Sequence, residues 1–184
     1  EKANEKIKSK ELLPQSILEK NNVKILCTTD DPAESLKFHK KLKDDNQFKV
    51  SVFPTFRPDG ACVLEGTRSF LLWLEKLKEV SNCDITNLNE FLITLRKRHN
   101  DFHEIGCRIS DHGLETIFSK KCSKKNAETL FNRLLDGKSL NMNEMNKWRS
   151  YLMKEFAQWN HSKGWVMLLH LGALRNNNTK IYNK

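Results

Sequence analysis

The 184-residue sequence predicts an α/β fold with a parallel sheet. Three observations predict it. Short apolar runs alternate with stretches of helical periodicity in the order strand, helix, strand, helices, strand, helices, strand, the alternation from which parallel sheets are built. Each apolar run ends in polar or ionisable residues: Thr28-Thr29-Asp30-Asp31, Thr55-Phe56-Arg57-Pro58-Asp59, Ser110-Asp111-His112, and the stretch from His170 to Arg175. In parallel α/β proteins the chemistry gathers at these carboxyl ends. Finally, 38% hydrophobic and 30% charged residues is the balance of a globular chain able to bury a core.

Taken in order, residues 4–13 read as a polar amphipathic helix, and Pro14 suits the first turn of a second, ending near Asn21-Asn22. This helical lead-in, residues 1–22, precedes a single domain over 23–184. Val23 to Thr29 is strand-like. Asp31-Pro32-Ala33-Glu34 then reads as a helix start, with a carboxylate cap and proline at the first position, so a helix is expected from Pro32 to about Lys43. Phe48 to Phe56 is the second strand, closed by Arg57-Pro58-Asp59-Gly60. Pro54 within it implies interrupted pairing or a bulge.

Leucines and aromatics at helical spacing mark helices over Thr67–Val80 and Ile85–Ile105, with Asp84 or Thr86 as cap of the second. Gly106 stops that helix, and Cys107–Ser110 is a short strand leading into Asp111-His112-Gly113. Further helices cover Asn126–Leu135, closed by Gly137, and Asn143–Asn160. Gly164 releases the chain into GWVMLLHLGALRNNN, whose apolar run suits a buried strand. Val166, Leu168 and His170 share one of its faces. The tryptophans, phenylalanines and leucines of the helices are outer-layer core at helical spacing, and His39, His99, His103 and His161 are expected at the surface.

Composition narrows the function classes. No apolar run reaches the length that spans a bilayer, and the first residues lack the apolar stretch of a signal peptide, so a cytoplasmic protein is expected. Five cysteines, odd in number and without a CxxC pair, argue for reduced thiols. The +9 net charge raises the question of nucleic acid. Its basic clusters at Lys37–Lys43, Arg96–His99 and Lys120–Lys125 carry no basic-aromatic motif and read as solvated helix faces, so nucleic acid is not an expected partner.

The segments VKILCTTDDP, VSVFPTFRPD, HEIGCRISDHGLE and GWVMLLHLGALRNNN, in this order and at these separations, closely resemble uronate (glucuronate) isomerase, of the amidohydrolase superfamily. The resemblance runs from about Asn21 onward. It implies a partial (β/α)8 TIM-type barrel, with strands two to five of eight present. It also implies an internal fragment, because family members are much longer. They begin with a His-x-His strand and end with three further strands, the last bearing an aspartate and an arginine. The implied reaction is the aldose–ketose isomerisation of glucuronate to fructuronate and of galacturonate to tagaturonate. A divalent metal, zinc, would be held mainly by residues outside this chain. A metal-dependent hydrolase of the same superfamily, or a basic nucleic-acid module, is the alternative.

Moving hydrogen between C2 and C1 needs a base, a group that polarises the carbonyl, and a cation for the carboxylate. Arg57 is the first choice for the carboxylate, since a guanidinium offers a planar two-point match; as a bland alternative it pairs with Asp59 in a loop. His170 is assigned to substrate contact or to catalysis rather than to metal. Asp111 and His112 form an acid–base pair by type, but neighbours on a strand face opposite ways, so only one points into the site. Arg175 and Asn176 are expected to hydrogen-bond sugar hydroxyls or a neighbouring loop. Thr29 and Asp30 end the first strand as substrate contacts, Asp31 being accounted for by capping. The partner is therefore a small uronic acid, and the open edges of a partial barrel leave room for a homo-oligomer.

Overall fold

The computed structural model describes residues 2–63, 66–172, 178 and 181. Four parallel strands form one sheet in sequential order: β1 (Ile25–Asp30), β2 (Ser51–Phe56), β3 (Ile109–Leu114) and β4 (Val166–Leu171). The lead-in folds as α1 (Lys2–Ile7), a 3-10 turn at Lys10–Leu12, and α2 (Pro14–Lys20), where proline occupies the first turn. Helix α3 (Lys37–Asp44) crosses from β1 to β2. After β2 come a 3-10 turn at Asp59–Cys62, α4 (Thr67–Ser81) and α5 (Leu88–Ile105); α6 (Lys124–Leu135) and α7 (Met142–Ser162) lie between β3 and β4. The fold is thus α/β with parallel strands and helical crossovers, as the partial-barrel expectation requires.

The helices pack on one side of the sheet around a core of aromatic rings. Phe91 stands at its centre, 4.9 Å from Phe131 and 6.0 Å from Trp148 between ring centroids. A second cluster gathers on Phe56, with Phe102 and His99 edge-on at 5.2 Å each. This layer is what the helical spacing of leucines and aromatics specifies, since one stripe of each helix must leave water.

Several local expectations are corrected. The first crossover helix begins at Lys37, five residues beyond the expected start. Asp31 caps nothing: its Oδ1 accepts the Ala33 amide and the Trp73 indole N–H, each at 2.7 Å, and so pins a turn to α4. The cap of α5 is Asn87, whose side chain accepts the Glu90 amide, while Thr86 binds the Glu90 carboxylate. The third strand starts later than expected and carries Asp111 and His112 within it. Helix α7 is entered through a capping box of Asn141 and Glu144.

The fourth strand is not buried. Val166 and Leu168 are 56% and 42% exposed, and β4 pairs only with β3 among the described residues. The face that Val166 and Leu168 share with Ile25 of β1 has no second layer over it, so an apolar run that reads as buried stands open.

Register and strand parity divide the sheet into two faces. Pairings Ile25↔Ser51, Phe56↔Ser110 and Ser110↔Met167 place residues 26, 28, 30, 54, 56, 110, 112, 167, 169 and 171 on the face that carries the helices, where Leu26, Leu169 and Leu171 remain exposed. Residues 25, 27, 29, 53, 55, 57, 109, 111, 166, 168 and 170 line the opposite, inner face. Pro54 does interrupt pairing. The amides of Ser51 and Arg57 reach back to β1, so the even-numbered amides of β2 face β3, and Pro54 has none to give. Pairing between β2 and β3 is accordingly reduced to Phe56↔Ser110.

Candidate active site

At the carboxyl ends of β2, β3 and β4, on the inner face, four ionisable side chains meet. Arg57 donates from Nε to Asp59 Oδ2 at 2.8 Å and from Nη1 to Asp111 Oδ2 at 3.1 Å. The other Asp111 oxygen, Oδ1, holds His170 Nδ1. Asp59 Oδ1 accepts the Gly113 amide at 3.3 Å. Asp111 is only 5% exposed at its side chain, whereas that of His170 is 63% exposed. A buried carboxylate therefore ties a half-buried guanidinium to an imidazole that reaches solvent.

The electrostatics follow from this arrangement. Burial works against the charge of Arg57, but the Asp59 hydrogen bond and the charges of Asp59 and Asp111 hold its guanidinium above the ordinary value. An ionised Asp111 can only accept, so the hydrogen shared with His170 resides on Nδ1. When neutral, His170 then presents Nε2 as a base. The cluster thus holds one guanidinium between two carboxylates and fixes the orientation of one exposed imidazole.

Strand parity separates the sequence-chosen residues. Arg57, Asp111, His170 and the exposed Thr29 all lie on the inner face. Asp30 and His112 do not. Asp30 turns toward α3, where Thr28 Oγ1 donates to its Oδ2 at 2.6 Å and His39 lies 3.6 Å away. His112 is buried in the helix layer, bonded to Ser110 Oγ at 2.9 Å and stacked on Phe156. Burial pushes its pKa down to about 4, against the opposing charges of Asp59 and Asp111. The one-residue offset between Asp111 and His112 puts them on opposite faces, so only Asp111 points to the inner one, as the alternation along a strand implies. Arg175 and Asn176 lie outside the described residues.

Two features go beyond the sequence. Asp59 pairs with Arg57, the alternative given above, and in addition reaches the Gly113 amide of β3. His39 and His99, expected at the surface, are buried. His99 Nε2 meets Asn160 Oδ1 at 3.0 Å, Asn160 Nδ2 donates to Ser110 Oγ at 2.7 Å, and Ser110 meets His112 Nε2. This buried chain ties α5 and α7 to the back of β3. No single-residue signal in the sequence marks it, because each member looks polar and solvated by itself. His161 is exposed as expected, and His103 packs partly buried against Trp165.

Among the described residues no group of three or more His, Cys, Asp or Glu side chains is arranged to hold a metal ion. Both Asp111 oxygens are already engaged by Arg57 and His170, so these residues do not form a metal site by themselves. All five cysteines are free, and burial pushes the Cys62 thiol up to about 12 and the Cys107 thiol to about 11, which leaves both unreactive. An apolar cleft of about 480 Å³, lined by Ile25, Cys27, Phe53, Pro54, Gly106, Arg108 and Ile109, opens at the other end of the strands, away from this cluster. Among the described residues no helix is long and apolar enough to cross a membrane.

Comparison with known proteins identifies the frame in which these residues sit. The glucuronate isomerase family model matches residues 1–184. The uronate isomerase of Caldanaerobacter subterraneus is 44% identical over 99% of this chain and 39% of its own length. That of Opitutus terrae is 42% identical over 97% of this chain and 37% of its own. Among solved structures, uronate isomerase from Thermotoga maritima superposes with a TM-score of 0.85 at 33% identity, covering 93% of this chain and 38% of that one. Glucuronate isomerase from Caulobacter crescentus gives 0.88 at 28% identity, over 98% and 37%. The chain spans about 39% of the length of the curated relatives it matches. With its parallel strands, its strand-end motifs and the family match over its whole length, the chain belongs to the glucuronate isomerase family.

Proposed function

We propose that this chain supplies part of the active site of a uronate isomerase that interconverts glucuronate with fructuronate and galacturonate with tagaturonate. The observation that carries the reading is the Arg57–Asp111–His170 cluster at the strand ends. Arg57 grips the substrate carboxylate. His170, held through Nδ1 by Asp111, takes the C2 proton on Nε2; the freed electron pair forms the C1–C2 enediol as O1 gains a proton. The same imidazolium returns its proton to C1 while O2 loses one and becomes the ketose carbonyl. Thr29, Arg175 and Asn176 contact the sugar hydroxyls.

A divalent metal, zinc, belongs to this reading only as a group held by residues beyond this chain. We take residues 23–184 as one partial-barrel domain behind the helical lead-in 1–22, working in the cytoplasm. Its two open sheet edges are covered in the complete polypeptide, so the 184-residue chain alone has no isomerase activity. The test is to incubate the complete polypeptide carrying this segment with glucuronate and with galacturonate and follow the ketose. Replacing His170 with asparagine is expected to lower kcat by about 100-fold or more. Ketose formation at an undiminished rate would remove His170 from the proton path.

A further inference from the structure

We propose that Asp59 is the positioning residue of this site: it fixes the Arg57 guanidinium and the tip of β3 in one geometry across a seam that the backbone leaves unpaired. The seam is real, because Pro54 has no amide to offer β3 and the two strands share only the Phe56↔Ser110 pairing. What bridges them at the mouth is side-chain chemistry. Asp59 takes the Arg57 Nε–H with Oδ2 and the Gly113 amide with Oδ1. Gly113 lies two residues after Asp111, so Asp59 adds a second link, beside the direct Arg57–Asp111 pair, between Arg57 and the strand that bears Asp111.

The backbone carrying Asp59 is itself held fast. A Cβ on the next residue, Gly60, would lie 2.4 Å from the Trp73 ring, so only glycine allows this approach. Trp148 donates its indole N–H to Ala61 O at 2.9 Å, and Arg149 donates to Cys62 O at 3.1 Å. Val63 closes the turn at φ 56, a left-handed conformation that a β-branched residue adopts only when its surroundings impose it. Rigid placement of a second carboxylate beside a ligand-binding arginine is what preorganisation of a carboxylate grip requires. With Nε on Asp59 and Nη1 on Asp111, the guanidinium is held in one orientation.

This inference rests on the carboxylate-gripping role of Arg57, and the experiment separates the two. In the complete polypeptide, D59N, D59E and R57M are compared by steady-state kinetics with glucuronate and by inhibition with the neutral analogue glucuronamide. D59N is expected to raise the KM for glucuronate about tenfold with a smaller change in kcat, leave glucuronamide inhibition unchanged, and be partly rescued in D59E. If R57M keeps the wild-type KM, the carboxylate grip itself fails. If R57M loses glucuronate while D59N keeps it, Arg57 stands and the role of Asp59 is overturned. Equal weakening of glucuronate and glucuronamide, or loss of folding in both Asp59 variants on thermal unfolding, would make Asp59 purely structural and likewise overturn the proposal.

Discussion

Asp111 carries more of the site than any other residue. Its buried carboxylate serves Arg57 with one oxygen and His170 with the other, so replacing it with asparagine removes a counter-charge from the first and the acceptor that fixes the tautomer of the second. D111N in the complete polypeptide is expected to lower kcat/KM by about 100-fold, ~2.7 kcal/mol of transition-state stabilisation, as steady-state kinetics would read. That Arg57, Asp111 and His170 stand at strand ends is legible in the sequence; that they touch one another is shown only by the fold. Asp30 and His112 face the helices, and the sequence does not say so, for a single physical reason. Strand side chains alternate with a period of two, and the phase of that alternation is set by which face packs the helices, which the strands' own residues do not state. The Arg57–Asp59 pair is open to the sequence as an alternative; the second bond of Asp59, to the Gly113 amide of β3, is not.

At the scale of elements, the helices were legible from periodicity and the strands from apolar runs, while boundaries moved wherever a side chain had a tertiary partner. Asp31 looks like a cap in isolation, but the Trp73 indole claims it and α3 starts later. The chain from His99 through Asn160 and Ser110 to His112 ties α5, α7 and β3, and it makes the layer acid-sensitive. Burial pushes His99 to about 4, despite the Asn160 hydrogen bond, and pushes His112 to about 4. Both pKa values lie below the unfolded value of about 6.5, so the unfolded chain binds more protons between those limits. Stability is therefore complete above pH 6.5 and falls as the pH drops toward 4, by about 3 kcal/mol for each histidine at the lower limit. Denaturant titrations across that range check this; a flat profile between pH 6.5 and 4 would contradict it. Asn160→Leu, which orphans the His99 and Ser110 partners together, is expected to cost about 3 kcal/mol by the same measurement.

Over the whole molecule, an open parallel sheet explains both what is buried and what is not. The crossover helices pack on the outer face, although Leu169 and Leu171 of β4 remain exposed there, while on the inner face Ile25, Val166 and Leu168 stand exposed and Thr55 and Asp111 are buried near the strand ends. A parallel sheet bare on one face is unusual enough that the 184-residue chain is expected to bind a hydrophobic dye and to self-associate through β1 and β4. Sedimentation of the isolated chain as a dye-silent monomer would contradict that expectation. The same openness explains why the last strand was misread, since an apolar run predicts burial without saying which part of the polypeptide provides it. Conversion of glucuronate to its ketose by the complete polypeptide, wild type against Arg57→Met, tests the uronate site most directly. The expected result is steady turnover that falls about 100-fold in kcat/KM on loss of the guanidinium; no ketose from the wild type, or equal rates from both, would contradict it.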